Sequence, residues 1–101
     1  MNEPTMNLRQ GLAVALRTVR KDRQLTQEDF GLVSSRTYLS ALERGLKSPT
    51  VDKLEEIAGV MGANPASLLL LAYAIAEGDK SGEVIDSIAA QAKGILAARV
   101  S

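Results

Sequence analysis

Three consecutive polar residues at the start of a short predicted helix have the hydrogen-bonding groups that base recognition requires. Ser35, Arg36 and Thr37 offer two hydroxyls and a guanidinium. A guanidinium can donate two hydrogen bonds to the major-groove edge of guanine, and a small hydroxyl can contact a neighbouring base. Leu39 and Leu42 recur at a three-residue spacing and are expected to turn inward, which leaves the polar side chains outside. This edge is predicted to read DNA bases.

The same predicted helix contains further candidates for DNA contact. Ala41 lies one turn beyond Thr37, where it is expected to approach a thymine methyl group. Tyr38 and Ser40 have hydroxyls placed for phosphate oxygens, which orient a protein on DNA without conveying sequence. Packing of the Tyr38 ring in the core is an equal alternative, and a solvated helix face would explain these residues without any ligand. The base-reading set is therefore Ser35, Arg36, Thr37 and Ala41.

Two predicted helix starts flank this segment and are candidates for a clamp on the DNA backbone. Thr26 and Gln27 begin the preceding helix, and Lys47 and Thr50 precede the following one. The free amides of a helix N-terminus favour phosphate binding, and hydroxyl, amide and ammonium groups add donors. A plain helix cap is the alternative role for Thr50, and one residue can serve both purposes.

The elements that position these groups are expected to be helices. Alanine and leucine dominate the apolar residues, and only three of the 101 residues are aromatic, which predicts an all-α chain. Apolar residues at three- and four-residue steps, together with capping residues and glycines, predict six helices. The predicted helices cover residues 7–22, 26–32, 35–44, 51–61, 65–77 and 83–99, and residues 1–6 are predicted to be a flexible N-terminus.

Three short motifs lie in the order and spacing of a known family. LTQE occupies 25–28, SRTYLS occupies 35–40, and ERG occupies 43–45 with Pro49 after it. This segment resembles the helix-turn-helix of the phage-repressor-like (Cro/C1-type, XRE) transcriptional regulators, and the resemblance extends over roughly residues 8–69. It implies a lambda-repressor-like bundle of five helices, in which residues 35–44 form the recognition helix. The C-terminal helix is an addition to that bundle.

The resemblance also implies a structural pair and exposes one departure. In the family, the positions of Arg20 and Glu43 pair, which would hold the first helix to the recognition helix while Arg20 borders the phosphates. The separation of nine residues between Phe30 and Leu39 is two fewer than relatives usually have. A truncated second helix and a tight turn at residues 33–34 are therefore expected.

The last two predicted helices have more apolar surface than a small domain can bury. Residues 65–77 are apolar nearly all round, and residues 83–99 have an apolar stripe. A symmetric dimer would bury this surface, and the alternative is a monomer in which the last helix folds back. Residues 7–77 are thus predicted as a DNA-binding domain and residues 78–101 as a dimerisation helix. The predicted interface comprises Leu70, Leu71, Ile75, Val84, Ile85, Ile88, Ala92, Ile95 and Leu96.

Charge and composition exclude several functions. Through Lys53 the chain has nine basic and six acidic residues, and the remainder has three basic and six acidic, which favours a DNA-facing N-terminal half. Histidine and cysteine are absent, so neither a metal site nor a cofactor is predicted. Adjacent carboxylates such as Glu55 and Glu56 diverge on a helix, and no Gly-rich phosphate loop is present, so an enzyme is not expected.

The predicted partners are double-stranded DNA and a second copy of the chain, and a second protein as regulator is left open. The alternative reading is a protein-interaction module on a repressor-like fold, for which the two-residue shortening is the best support. No signal peptide or membrane-length apolar run is apparent in the sequence, and a cytoplasmic location is expected.

Overall fold

The computed structural model describes residues 6–100, and over this range the chain is helical without strands. The elements in chain order are α1 Leu8–Asp22, a 3-10 turn Gln27–Phe30, α2 Arg36–Glu43, α3 Val51–Met61, α4 Pro65–Ala76 and α5 Glu83–Val100. The predicted all-α, lambda-repressor-like architecture with an added C-terminal helix is confirmed. The predicted flexible N-terminus lies outside the described residues except for Met6, whose backbone N–H donates to the carbonyl of Ala76 at 3.3 Å.

The core lies between α1, α2, α3 and α4. Its fully buried members include Leu16 from α1, Phe30 from the 3-10 turn, Leu39 from α2, Ile57 from α3 and Leu68 from α4. Each of these helices therefore buries one apolar face against the others, as their sequence periodicity predicts. The buried side chains of the four helices contact one another and form one continuous core.

Helices α1 and α4 approach each other closely at Gly11. A Cβ atom built at Gly11 would lie 2.4 Å from the carbonyl oxygen of Ala72 and 3.0 Å from the Cβ of Ala76. Such a distance to a backbone atom is well below van der Waals contact, so the absence of a side chain permits this packing. Gly11 thus fixes how α1, and with it Arg20, is placed against the rest of the bundle.

The predicted second helix is shorter than expected and is not an α-helix. Only residues 27–30 are helical, as a single 3-10 turn, whereas residues 26–32 were expected. The Asp29 carboxylate accepts hydrogen bonds from the Thr26 backbone N–H at 2.7 Å and from its hydroxyl at 3.2 Å. The amides of Val33 and Ser34 both donate to the Phe30 carbonyl at 2.9 Å, which closes the turn immediately. The shortened connection leaves no room for another helical turn.

Helix α5 begins from a capped linker and then leaves the bundle. The Asp79 carboxylate accepts hydrogen bonds from the backbone N–H of Val84 at 2.9 Å and from Ser81, and these bonds hold the pKa of the Asp79 carboxyl below its usual value. The first half of α5 contacts α4. All residues from 90 to 99 are exposed. The described chain therefore covers little of the distal half of α5.

Among residues 6–100, no single helix has both the length and the apolar composition to cross a membrane. Helices α3 and α4 meet those criteria only when taken together, and the chain bends by 99° between them.

Candidate nucleic-acid interface

The predicted reading edge is exposed at the N-terminus of α2. The Ser35 hydroxyl caps the helix by accepting the Tyr38 backbone N–H at 3.1 Å, so α2 starts where the sequence predicts. Arg36 and Thr37 follow in the first turn and are exposed. Leu39 and Leu42 are buried below them, at 0% and 2% exposure. The helix thus presents its polar first turn to solvent while its apolar side anchors it.

The Arg36 guanidinium is exposed and only weakly held. It forms an ion pair with Glu28, in which Arg36 Nη1 lies 3.4 Å from Glu28 Oε1. Both side chains are about three-quarters exposed, at 73% and 75%, so water screens the pair and it holds Arg36 weakly. Replacing Glu28 by a base edge as the partner of Arg36 would therefore cost little free energy.

The expectation for Ala41 is wrong. Ala41 is buried, with 7% of its surface exposed, and it cannot touch a thymine methyl group in this arrangement. Helix α2 is short and enclosed between α1 and the 3-10 turn, so its buried side is wider than the Leu39–Leu42 spacing alone predicts. The solvent-facing line of α2 instead runs from the exposed Arg36 through the half-buried Ser40 to the exposed Arg44 just after the helix, in steps of four residues.

A buried ion pair supports the reading edge from below. Arg20 Nε donates to Glu43 Oε2 at 2.6 Å, and Arg20 Nη2 donates to Glu43 Oε1 at 2.9 Å. Arg20 Nη1 also donates to the carbonyl of Leu25 at 2.9 Å. The Arg20 and Glu43 side chains are only 12% and 4% exposed. The pair therefore ties the end of α1 to the end of α2 and to the segment between them.

The Glu43 carboxylate raises the pKa of Arg20 above its ordinary value, mainly through the hydrogen bonds and against the opposing effect of burial. Gln27 completes the network, because its Nε2 donates to Glu43 Oε1 at 3.3 Å. The two-residue shortening has not separated Gln27 from α2. Arg20 and Gln27 thus serve as supports of α2 in this structure, and their predicted phosphate contacts stay predictions.

The other predicted phosphate contacts lie at the rim of the same surface. Thr26, Lys47 and Thr50 are exposed, and Ser40 is half-buried. Thr50 caps α3 by accepting the Lys53 backbone N–H at 3.1 Å. Tyr38 is half-buried and packs against the core. The Lys47 ammonium lies 5.8 Å from the centre of its ring. Tyr38 therefore packs against the core, and its predicted phosphate contact stays a prediction.

Two residues near the reading edge were not predicted from the sequence. Arg44 is exposed at the end of the Arg36–Ser40 line, and the four-residue spacing from Arg36 was the available signal. Lys53 of α3 donates from Nζ to the carbonyl of Val33, and the same ammonium lies 2.8 Å from a Glu56 carboxylate oxygen. The hydrogen bond from Lys53 to the Val33 carbonyl holds the shortened turn that leads into α2, and no local sequence pattern indicates this bond.

The described residues contain no group of acidic side chains arranged to hold a metal ion. The exposed edge of α2 instead presents hydrogen-bond donors and cationic side chains, and the Arg20–Glu43 pair supports the helix from below. Such an edge can donate hydrogen bonds to bases and phosphates of a duplex.

The comparisons with known proteins agree with this geometry. The helix-turn-helix family model HTH_3 matches residues 16–68. The chain is 36% identical over 66 residues to the uncharacterized HTH-type transcriptional regulator y4dJ of Sinorhizobium fredii (strain NBRC 101917 / NGR234), an alignment that covers 63% of this chain and 86% of the relative.

Solved structures of a regulator share the fold. One crystal structure of the clp gene regulator ClgR from Corynebacterium glutamicum matches with a TM-score of 0.67 at 33% identity, and covers 72% of this chain and 96% of that one. A second ClgR structure matches with a TM-score of 0.64 at 32% identity, and covers 96% of this chain and 93% of that one.

The fold and the exposed recognition helix define a helix-turn-helix DNA-binding protein. The chain belongs to the XRE-type helix-turn-helix family of transcriptional regulators, as the three motifs of the sequence predict. Members of this class act by binding DNA rather than by catalysis, so the chain is not an enzyme.

Proposed function

We propose that the chain is a cytoplasmic, sequence-specific regulator that binds a roughly palindromic operator as a homodimer. Ser35, Arg36 and Thr37 read bases in the major groove, and Arg44 extends the contact along α2. Phosphate contacts come from Thr26, Lys47 and Thr50 at the two helix starts, with Ser40 and Tyr38 beside them. Arg20 and Gln27 hold α2 at the angle that this contact needs.

The observation on which this proposal depends is the combination of an exposed edge with a buried anchor. Arg36 and Thr37 project from the domain, whereas Leu39 and Glu43 on the other side of the same helix are almost fully buried. A short helix held in this way keeps its reading groups in one orientation. Preorganised groups lose less conformational freedom on binding, which favours recognition of one sequence over others.

Homodimerisation is the second part of the proposal. An eight-residue helix presents few base-reading side chains, and a second copy doubles the sequence that is read. Two recognition helices about 34 Å apart would enter successive major grooves on one face of the duplex. Residues 7–77 then form the DNA-binding domain, and residues 78–101 form the dimerisation helix. The exposed apolar residues Ile95 and Leu96 support this division.

The test uses a duplex selected from a random pool by the wild-type protein. Arg36→Ala should weaken binding to that duplex by about 1–3 kcal/mol and relax the preference at one base pair of each half-site. Lys47→Ala is the matched control for loss of one cation. It should weaken binding to all sequences about equally and reduce the slope of log affinity against log salt by about one.

If Arg36→Ala binds the selected duplex as tightly and as selectively as the wild type, α2 is not the reading element. If the wild type selects no sequence and shows only weak, salt-sensitive binding, the protein-interaction alternative replaces the proposal.

A further inference from the structure

A groove between α4 and α5 has no occupant among residues 6–100. Its volume is about 420 Å³, and it is lined by Tyr73 of α4, by Glu77 just after α4, and by Val84, Ser87, Ile88 and Gln91 of α5. Tyr73 is 41% exposed, although it is the largest apolar side chain of α4. The groove therefore combines the apolar surface of Tyr73, Val84 and Ile88 with polar side chains, and Glu77 makes one of its ends acidic.

The distal half of α5 has the complementary properties. The apolar side of α5 is half-buried where it contacts α4, at Ile85, Ile88 and Ala89. Beyond Ala89 the same side continues into solvent, with Ile95 at 65% and Leu96 at 57% exposure. An apolar helical stripe that runs past its own domain in this way needs another surface to cover it.

We propose that the groove receives the distal half of α5 from a second copy, with the two α5 helices antiparallel across a two-fold axis near Gln91. This inference rests on the homodimer proposed above and specifies its geometry. A residue that lies a given number of positions before Gln91 is then level with the partner's residue the same number of positions after Gln91, because both helices rise by about 1.5 Å per residue. The partner's Ile95 comes level with Ser87, inside the groove.

The same geometry brings two opposite charges together that have no ion pair among the described residues. The two-fold axis is perpendicular to the plane that contains the two α5 helices. Equivalent flanks of the two helices therefore lie on the same side of that plane. Helix α4 lies on the flank of Ile85 and Ala89, and Leu96 and Arg99 occupy this flank in the distal half. The partner's Leu96 therefore lies against Tyr73, and the partner's Arg99 comes beside Glu77.

Charge favours a second copy as the occupant. Glu77 and Arg99 are exposed, and neither forms an ion pair within the described residues. The basic end of α5 and the acidic end of the groove match only when the helices run in opposite directions. Near the axis, residues 87–92 are uncharged, so the two copies of this stretch meet without repulsion, as an isologous interface requires.

The test is a charge exchange between chains, measured as the dimer dissociation constant by sedimentation equilibrium. Glu77→Arg and Arg99→Glu should each raise the constant about tenfold, since each change makes two symmetry-related pairs repulsive. An equimolar mixture of the two variants should recover the wild-type constant as a heterodimer, in which both pairs are attractive again. Glu55→Arg on α3 and Lys93→Glu on the opposite side of α5 are the matched controls and should leave the constant unchanged.

A second variant tests the apolar contact. Leu96→Asp should abolish dimerisation over the measurable range while the circular dichroism spectrum stays helical. A wild-type dimer that resists all three changes, or variants that do not rescue each other in the mixture, would overturn this geometry and leave the homodimer itself standing. A wild type that is monomeric at all concentrations would reject the homodimer and this inference together.

Discussion

Helices α1–α4 and helix α5 differ in how much of their apolar side chains is exposed to solvent. In the first group, Leu16, Leu39 and Ile57 have no exposed surface. In the distal half of α5, Ile95 and Leu96 are more than half exposed, and every residue from 90 to 99 is in contact with solvent. Both regions are helical and rich in alanine and leucine or isoleucine, so composition does not account for the difference.

The difference separates folding from association. Helices α1–α4 bury their apolar faces within one chain, which lets them hold the exposed edge of α2 in place without a partner. The distal half of α5 gains little from its own chain, so it contributes little to monomer stability and remains free to bind another surface. Substitutions in the two regions should therefore change different quantities, and three pairs of substitutions test this separation.

The largest effect is expected where a charge in the bundle loses its partner. Glu43→Gln leaves the buried Arg20 guanidinium without a counter-charge and should lower the free energy of unfolding by about 3–5 kcal/mol. Glu28→Gln makes the same chemical change in the exposed pair with Arg36 and should cost less than about 1 kcal/mol. Urea denaturation of both variants measures the difference. Equal losses would mean that the Arg20–Glu43 pair is no more important for folding than a surface contact.

Truncation of one leucine in each region compares packing directly. Leu68 of α4 is 1% exposed, and Leu68→Ala should lower the free energy of unfolding by about 2–5 kcal/mol. Leu96→Ala on α5 should change it by less than about 0.5 kcal/mol at a protein concentration that keeps the chain monomeric. Thermal and urea unfolding provide the measurement. A large loss for Leu96→Ala in the monomer would place α5 within the same folding unit as α1–α4.

The smallest effects are expected from a methyl group added to a glycine in each region. Gly11→Ala forces α1 away from Ala72 and should destabilise the chain by about 1–3 kcal/mol, although alanine is the better helix former. Gly94 of α5 has no atom within 4 Å of an added Cβ, so Gly94→Ala should stabilise the helix by up to about 1 kcal/mol. Circular dichroism during urea unfolding reports both effects. A neutral Gly11→Ala would show that α1 and α4 can separate without cost.

Much of the fold is predictable because its signals are local. Capping residues at Asn7, Ser35 and Thr50 begin helices where the sequence places them, and Gly62 ends α3 in the left-handed conformation. The nine-residue separation between Phe30 and Leu39 predicts a truncated second helix, although the helical segment is still shorter than the predicted residues 26–32. Its 3-10 geometry was not predicted, since that depends on how the Phe30 carbonyl is shared by two turn amides.

The site is predictable in part for the same reason. The exposure of Arg36 and Thr37 follows from the inward spacing of Leu39 and Leu42. The burial of Ala41 does not, because it depends on α1 and the 3-10 turn enclosing α2 from two sides. The bond from Lys53 to the Val33 carbonyl joins residues twenty positions apart, and no local pattern encodes it.

The sequence by itself determined the helix-turn-helix class, the order of the helices and the polar edge of the recognition helix, because periodicity, caps and short motifs act over a few residues. The tertiary structure decided which apolar surfaces are closed and which stay open. That outcome depends on distances between helices far apart in the chain, such as the approach of α1 to α4 at Gly11 and the departure of α5 from α4 after Ala89. Packing against distant helices therefore selected the side chains that remain exposed on α2 and α5.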